Sequence, residues 1–134
     1  MQVDTIMVST NLANSLKDLG RLEEAEELHR DAIARFGKAF GSANRPYMQM
    51  VTSLGTVITG QGRHAEAEQL YRTNYDAQRR VMGEAHMDTL MTQMNIANAL
   101  HRQGTAKHAD AREMFFKNLA LKEQALGKRH PKRC

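Results

Sequence analysis

One phrase occurs three times in this chain at intervals of 42 residues, and that repetition restricts the fold more than any other feature. Residues 7–20 read MVSTNLANSLKDLG, residues 49–62 read QMVTSLGTVITGQG and residues 91–104 read MTQMNIANALHRQG. In each copy apolar residues recur three and four apart, the spacing of one side of an α-helix, and a glycine ends the run. In the first copy Val8, Leu12, Leu16 and Leu19 make the stripe beside Ala13, with Asp4 in the N-cap place and Gly20 as the stop. A second helix follows, with Leu22, Ala25, Leu28, Ala32, Ile33 and Phe36 on one face and acids in its first turns, where the helix dipole favours them. The second copy runs through Met50, Val51, Leu54 and Ile58 to Gly62, then Ala67, Leu70, Tyr71 and Tyr75. The third has Asp88 as cap, Ile96, Ala97 and Leu100 as stripe and Gly104 as stop, then Ala111, Met114, Phe115 and Leu119. Gly41, Gly83 and Gly127 close the copies.

The register survives one irregularity. From the stop glycine to the first alanine of the second helix is five residues in copies one and two and seven in copy three. From that alanine to the closing glycine it is sixteen in all three. An insertion confined to a turn is what a true repeat tolerates. A helix–turn–helix unit of this size cannot bury both apolar faces alone, so the copies must stack, and about three are needed for a stable array. The expected architecture is all-α: one domain of three antiparallel helix–turn–helix repeats, at 4–45, 46–87 and 88–131, with a basic tail at 128–134.

Composition agrees and removes several function classes. The chain has 134 residues, 41% apolar but only 5% aromatic and without Trp, so its core is aliphatic with nine Met as adaptable filler. Four of the 19 basic residues, Lys128, Arg129, Lys132 and Arg133, lie in the last seven positions, leaving 15 against 15 acidic residues in the body. A protein that neutralises phosphates needs clustered cations on its folded face, so no nucleic-acid partner is expected. The single cysteine, Cys134, excludes an intrachain disulfide and suits a reducing compartment. The N-terminus lacks a signal-peptide pattern and no window is apolar enough to span a bilayer, which implies a soluble cytoplasmic protein with no membrane partner.

G-R-x-x-E-A-E-x-L at 20–28 and its counterpart GRHAEAEQL at 62–70 resemble tetratricopeptide repeats, as do the small residues at helix-crossing points: Ala13, Gly55 and Ala97 in the first helices, Ala25, Ala67 and Ala111 in the second. The 42-residue spacing exceeds that family's usual 34. With its Asp-Thr-Ile/Leu openings and the loops GEAHMDTL and GKRHPK, the pattern is similar to the kinesin-light-chain type. The resemblance implies a right-handed superhelical solenoid whose first-helix faces line a concave groove for an extended peptide. It also implies that Asn11 and Asn95 contact that peptide, with Ser53 at the same place in copy two. Asn74 and Asn118 depart from the family pattern, standing where it places a small alanine such as Ala32.

The first-helix faces opposite the apolar stripes hold Met7, Thr10, Asn11, Asn14, Lys17 and Asp18; then Gln49, Thr52, Ser53, Thr56 and Thr59; then Met91, Met94, Asn95, Asn98, His101 and Arg102. An ordinary solvated face is rich in Lys and Glu, whereas this one is rich in Asn, Thr, Ser and Met. Amides both donate and accept, as pairing with a peptide backbone requires. The candidate peptide-binding residues are therefore Asn11, Asn14, Lys17, Ser53, Thr56, Asn95, Asn98, His101 and Arg102, with Lys17, His101 and Arg102 favouring an acidic ligand. No metal site is expected: His86 and His130 read as structural loop residues, and His101 and His108 lack a third ligand. No nucleophile elbow, phosphate loop or dinucleotide fingerprint occurs, so neither catalytic residue nor cofactor is expected. Tyr71, Tyr75, Phe115 and Phe116 follow helical spacing and read as core. The expected function is a non-enzymatic protein-interaction module that binds an extended peptide. The competing class is structural: a spacer, or a piece of a longer array that self-associates through uncapped repeat ends, with the tail as the start of a truncated fourth copy.

Overall fold

The computed structural model describes residues 2–104 and 107–129, with side chains for 5–104 and 107–124. Six helices follow in order: α1 (Gln2–Asp18), α2 (Leu22–Phe40), α3 (Arg45–Gly60), α4 (His64–Met82), α5 (Met87–Arg102) and α6 (His108–Arg129). Each packs on the next, which makes three antiparallel pairs stacked in one direction. Gly20 and Gly62 turn the first two pairs with φ near +80°, a conformation that a side chain would strain.

The helix starts differ from expectation in instructive ways. Asp4 is no cap, because α1 already begins at Gln2. Asn44 caps α3 by accepting the Tyr47 N–H at 2.9 Å, and Pro46 occupies the first turn, where a missing N–H costs nothing. His86 caps α5, its Nδ1 accepting the Asp88 N–H at 3.1 Å. Asp88, freed from capping, receives Arg45 at 2.7 Å and ties the start of α3 to that of α5. Gly127 lies inside α6, so it does not close the third unit. Lys128 and Arg129 end that helix, and residues 130–134, with Lys132, Arg133 and Cys134, lie outside the described residues.

Two apolar clusters hold the stack. Ala13, Leu16, Ala25 and Val57 join α1, α2 and α3. Leu54, Ile58, Ala67, Tyr71, Ile96, Leu100 and Ala111 join α3 through α6. The two asparagines in the alanine place belong to this core. Asn74 Nδ2 donates to the Met48 carbonyl at 3.1 Å and to Thr52 Oγ1 at 3.0 Å. Asn118 Nδ2 donates to the Leu90 carbonyl at 2.8 Å and to Gln93 Oε1 at 3.1 Å. Each side chain is buried with its amide donor satisfied, so it pins the start of its partner helix.

A polar node seals each junction between pairs. Glu26 accepts from Gln61 at 2.9 Å, Arg63 at 2.7 Å and Arg30 at 2.9 Å. The Gln61 hydrogen bond, then those of Arg63 and Arg30, outweigh the effect of burial and hold its pKa at about 2. One repeat on, Glu68 accepts from Gln103 at 2.7 Å and Arg72 at 2.7 Å, with Lys107 at 3.7 Å. Burial works against its charge, yet Gln103, Arg72 and Lys107 keep its pKa below the usual carboxylate value.

His29 occupies the place taken by Tyr71 and Phe115 in the other pairs, fully buried and with neither ring nitrogen hydrogen-bonded among the described residues. Burial pushes its pKa down, and Lys17 adds to the effect. The unfolded chain therefore takes up a proton below its ordinary value of 6.5 that the folded chain refuses, and stability falls as pH drops through that region. His29→Phe is expected to raise stability by about 1–2 kcal/mol, since an unsatisfied buried polar group is removed. It should also flatten the loss between neutrality and weak acid. Thermal melts across that range check both, and an unchanged slope would contradict the assignment.

Candidate functional site: the odd-helix face

Positions i, i+4, i+7 and i+11 of a helix share one stripe. On α1 these are Met7, Asn11, Asn14 and Asp18; on α3, Gln49, Ser53, Thr56 and Gly60; on α5, Met91, Asn95, Asn98 and Arg102. Ser53 and Asn95 are half-buried and the other ten are exposed. The amides of Asn11, Asn14, Asn95 and Asn98 have no hydrogen-bond partner among the described residues. The outer two helices thus each present two free amides.

The middle helix offers different chemistry. Thr52, Thr56 and Thr59 each direct the hydroxyl hydrogen to a carbonyl four residues back, at 3.1, 3.2 and 2.8 Å. Thr56 therefore contributes an oxygen that accepts, not a donor. The cations are divided between the outer helices. Lys17 is half-buried on α1 within electrostatic reach of His29, and Arg102 is exposed at the end of α5. His101 stacks on His108 across the turn, ring centroids 4.5 Å apart. Asp18 holds on α1 the place that Arg102 holds on α5, so the stripe runs from acid to base across the stack. Met7 and Met91 are exposed and Met94 is half-buried.

A recess of about 620 Å³ lies elsewhere, between α2 and α4 over α3. Ile33, Met48, Val51, Leu54 and Leu70 give it an apolar floor, and Arg30, Glu66 and Arg80 also line it. The corresponding space between α4 and α6 is about 340 Å³ and includes Tyr75, Gln93 and Lys117, one repeat on from Ile33, Val51 and Thr73. Sequence spacing alone does not reveal this recess, because its size depends on which side chains from three helices meet there.

The sequence pattern of the tetratricopeptide repeat matches residues 47–115, and a second pattern of the same repeat matches residues 5–47. No curated protein matches the chain in sequence. Among solved structures, a Podosopora anserina protein assigned as a kinesin light chain with nearly identical TPR-like repeats superposes with a TM-score of 0.78 at 20% identity, over 90% of this chain and 56% of its own. BtubC (BKLC) from P. vanneervenii superposes with a TM-score of 0.81 at 15% identity, over 92% of this chain and 48% of its own. The chain spans about half the length of these structures.

Proposed function

The chain belongs to the tetratricopeptide-repeat family, with repeats of the kinesin-light-chain-like type, and on that premise we propose that it is a protein-interaction scaffold that takes an extended peptide across the odd-helix face. Repeats of this family generally mediate contacts between proteins. One observation carries the finer reading: four free amides recur at two equivalent positions on α1 and α5, on a face almost without Lys and Glu. An extended peptide exposes alternating N–H and C=O groups along its length, and an amide side chain answers both. Thr56 and Ser53 supply acceptor oxygens at the middle rung. Met7 and Met91 adapt to side chains of varied shape. Lys17, His101 and Arg102 favour acidic residues in the ligand, and Asp18 favours a basic residue beside α1.

Selection from a random-peptide display library tests the proposal, with the Asn11→Ala, Asn95→Ala double variant as counter-screen. A shared motif is expected from the wild type. At about 1 kcal/mol for each lost hydrogen bond, the variant should bind that motif about 30-fold more weakly, with an unchanged circular dichroism spectrum. Equal enrichment by the variant would remove the amides from the site.

A further inference from the structure

The apolar stripe of α1 does not behave as one buried face. Leu16 and Ala13 are buried, but Val8, Leu12 and Leu19 are 66%, 51% and 73% exposed. The reason is positional. One and two repeats on, Leu12 becomes Leu54 and Ile96, only 3% and 1% exposed within the cluster that joins successive pairs. Val8, Leu12 and Leu19 thus form the half-interface that each later odd helix presents to the pair before it. At the other end, Phe116 and Leu119 of α6 are 64% and 51% exposed. Leu119 stands where Ile33 and Tyr75 pack onto the next pair.

The residues on the two ends are altered together. At the internal junctions Arg30 and Arg72 bond Glu26 and Glu68, which also take Gln61 and Gln103 from the next turn. On α6 the arginine place is Phe116 and the glutamate place is Arg112; at the end of α1 the glutamine place is Leu19. Two outer members of the polar node have become an apolar pair on opposing faces, while Arg112 and Arg21 hold the places of Glu26 and Arg63. Arg21 stands where Arg63 reaches Glu26, and Glu24, bonded to Arg21, stands where Glu66 receives both Arg30 and Arg63.

We propose that the α6 face of one copy docks on the α1 face of a second, continuing the stack head to tail with Phe116 against Leu19. The internal junctions are the template: the same helix positions meet in the same orientation, with Phe116 and Leu19 in place of an arginine and a glutamine, and with the Glu24 carboxylate beside Arg21 to face Arg112. Such an interface is heterologous, so assembly is open-ended and grows with concentration.

Sedimentation velocity of the full 134-residue chain, over a micromolar-to-millimolar series with reductant present to keep Cys134 from cross-linking, tests this. The wild type is expected to lengthen with concentration. Leu19→Gln and Phe116→Arg install the residues found at the internal junctions on exposed positions, so the melting curve should hold while each weakens self-association about tenfold or more, as loss of an interface anchor does. Mixing the two variants gives the sharper result, because each retains one intact end and together they should form a 1:1 dimer that stops there. Monomers at every wild-type concentration would overturn the proposal. So would loss with Leu19→Gln but not Phe116→Arg, the mark of a symmetric α1-to-α1 contact.

Discussion

Acidification is expected to loosen the stack in two separable stages, and Glu26→Gln should abolish much of the second. In the folded chain the Glu26 carboxyl titrates at about 2, against 4.5 for the free group. A depressed carboxylate contributes stability above its unfolded value, and that contribution is lost as pH falls from about 4.5 towards 2. At about 1.4 kcal/mol per tenfold change in the proton equilibrium, the drop corresponds to about 3 kcal/mol. Arg30 and Arg63 remain partly exposed, and solvent screening reduces this to about 2 kcal/mol. Glu26→Gln should therefore lower stability by about 2 kcal/mol at neutral pH, and its curve should converge on the wild type as pH approaches about 2. The node bridges α2 to the turn after α3, so a repeat array should report the loss locally. Hydrogen exchange in α1 and α2 is expected to rise before that in α5. The earlier stage, at weaker acid, belongs to His29 and should be untouched by Glu26→Gln. Equal neutral-pH stability of wild type and variant would show that the node contributes nothing net.

Much of the fold was legible because the repeat writes the same physical constraint three times. Spacing of apolar residues and the turn glycines Gly20, Gly62 and Gly104 sufficed to place the helices and their order, since backbone conformation depends on local chemistry. What escaped depends on neighbours distant in sequence. Leu12 and Leu54 are the same residue at the same register, yet one is exposed and the other buried, because among the described residues only Leu54 has a preceding pair to pack against. Phe116 was read as core from its spacing, and the structure leaves it exposed on the last helix for the mirror-image reason. Asn74 looked like a misfit in an alanine position, since its partners, the Met48 carbonyl and Thr52, lie 22 to 26 residues away. For the candidate site, helical periodicity put Asn11, Asn14, Asn95 and Asn98 on one face. It could not show that Thr56 directs its hydroxyl hydrogen to its own helix, or that His101 stacks on His108.

The middle pair reverses a rule of helix propensity, and Gly55→Ala makes that measurable. Alanine is favoured over glycine within a helix by about 1 kcal/mol, so propensity alone predicts stabilisation. Gly55 is buried in α3, however, and a Cβ there would lie 2.4 Å from Tyr71 Cε1 and 2.6 Å from Cζ. Tyr71 is itself buried in the main apolar cluster, so its ring cannot swing away without opening the junction to Ile96 and Leu100. Overpacking of this kind costs about 1–3 kcal/mol, and the near-complete overlap puts it at the upper end. Gly55→Ala is expected to destabilise by a net amount of about 2 kcal/mol once propensity is subtracted. The equivalent pairs along the array are Ala13 with His29 and Ala97 with Phe115. Tyr71→Leu alone should be destabilising through the cavity it leaves, but combined with Gly55→Ala it should cost less than the sum of the two. The double-mutant coupling is expected to be favourable by more than about 1 kcal/mol. Additive single effects, or a Gly55→Ala chain that melts higher than wild type, would mean that the Tyr71 ring yields. The glycine would then have no packing reason to stand where its neighbours along the array carry alanine.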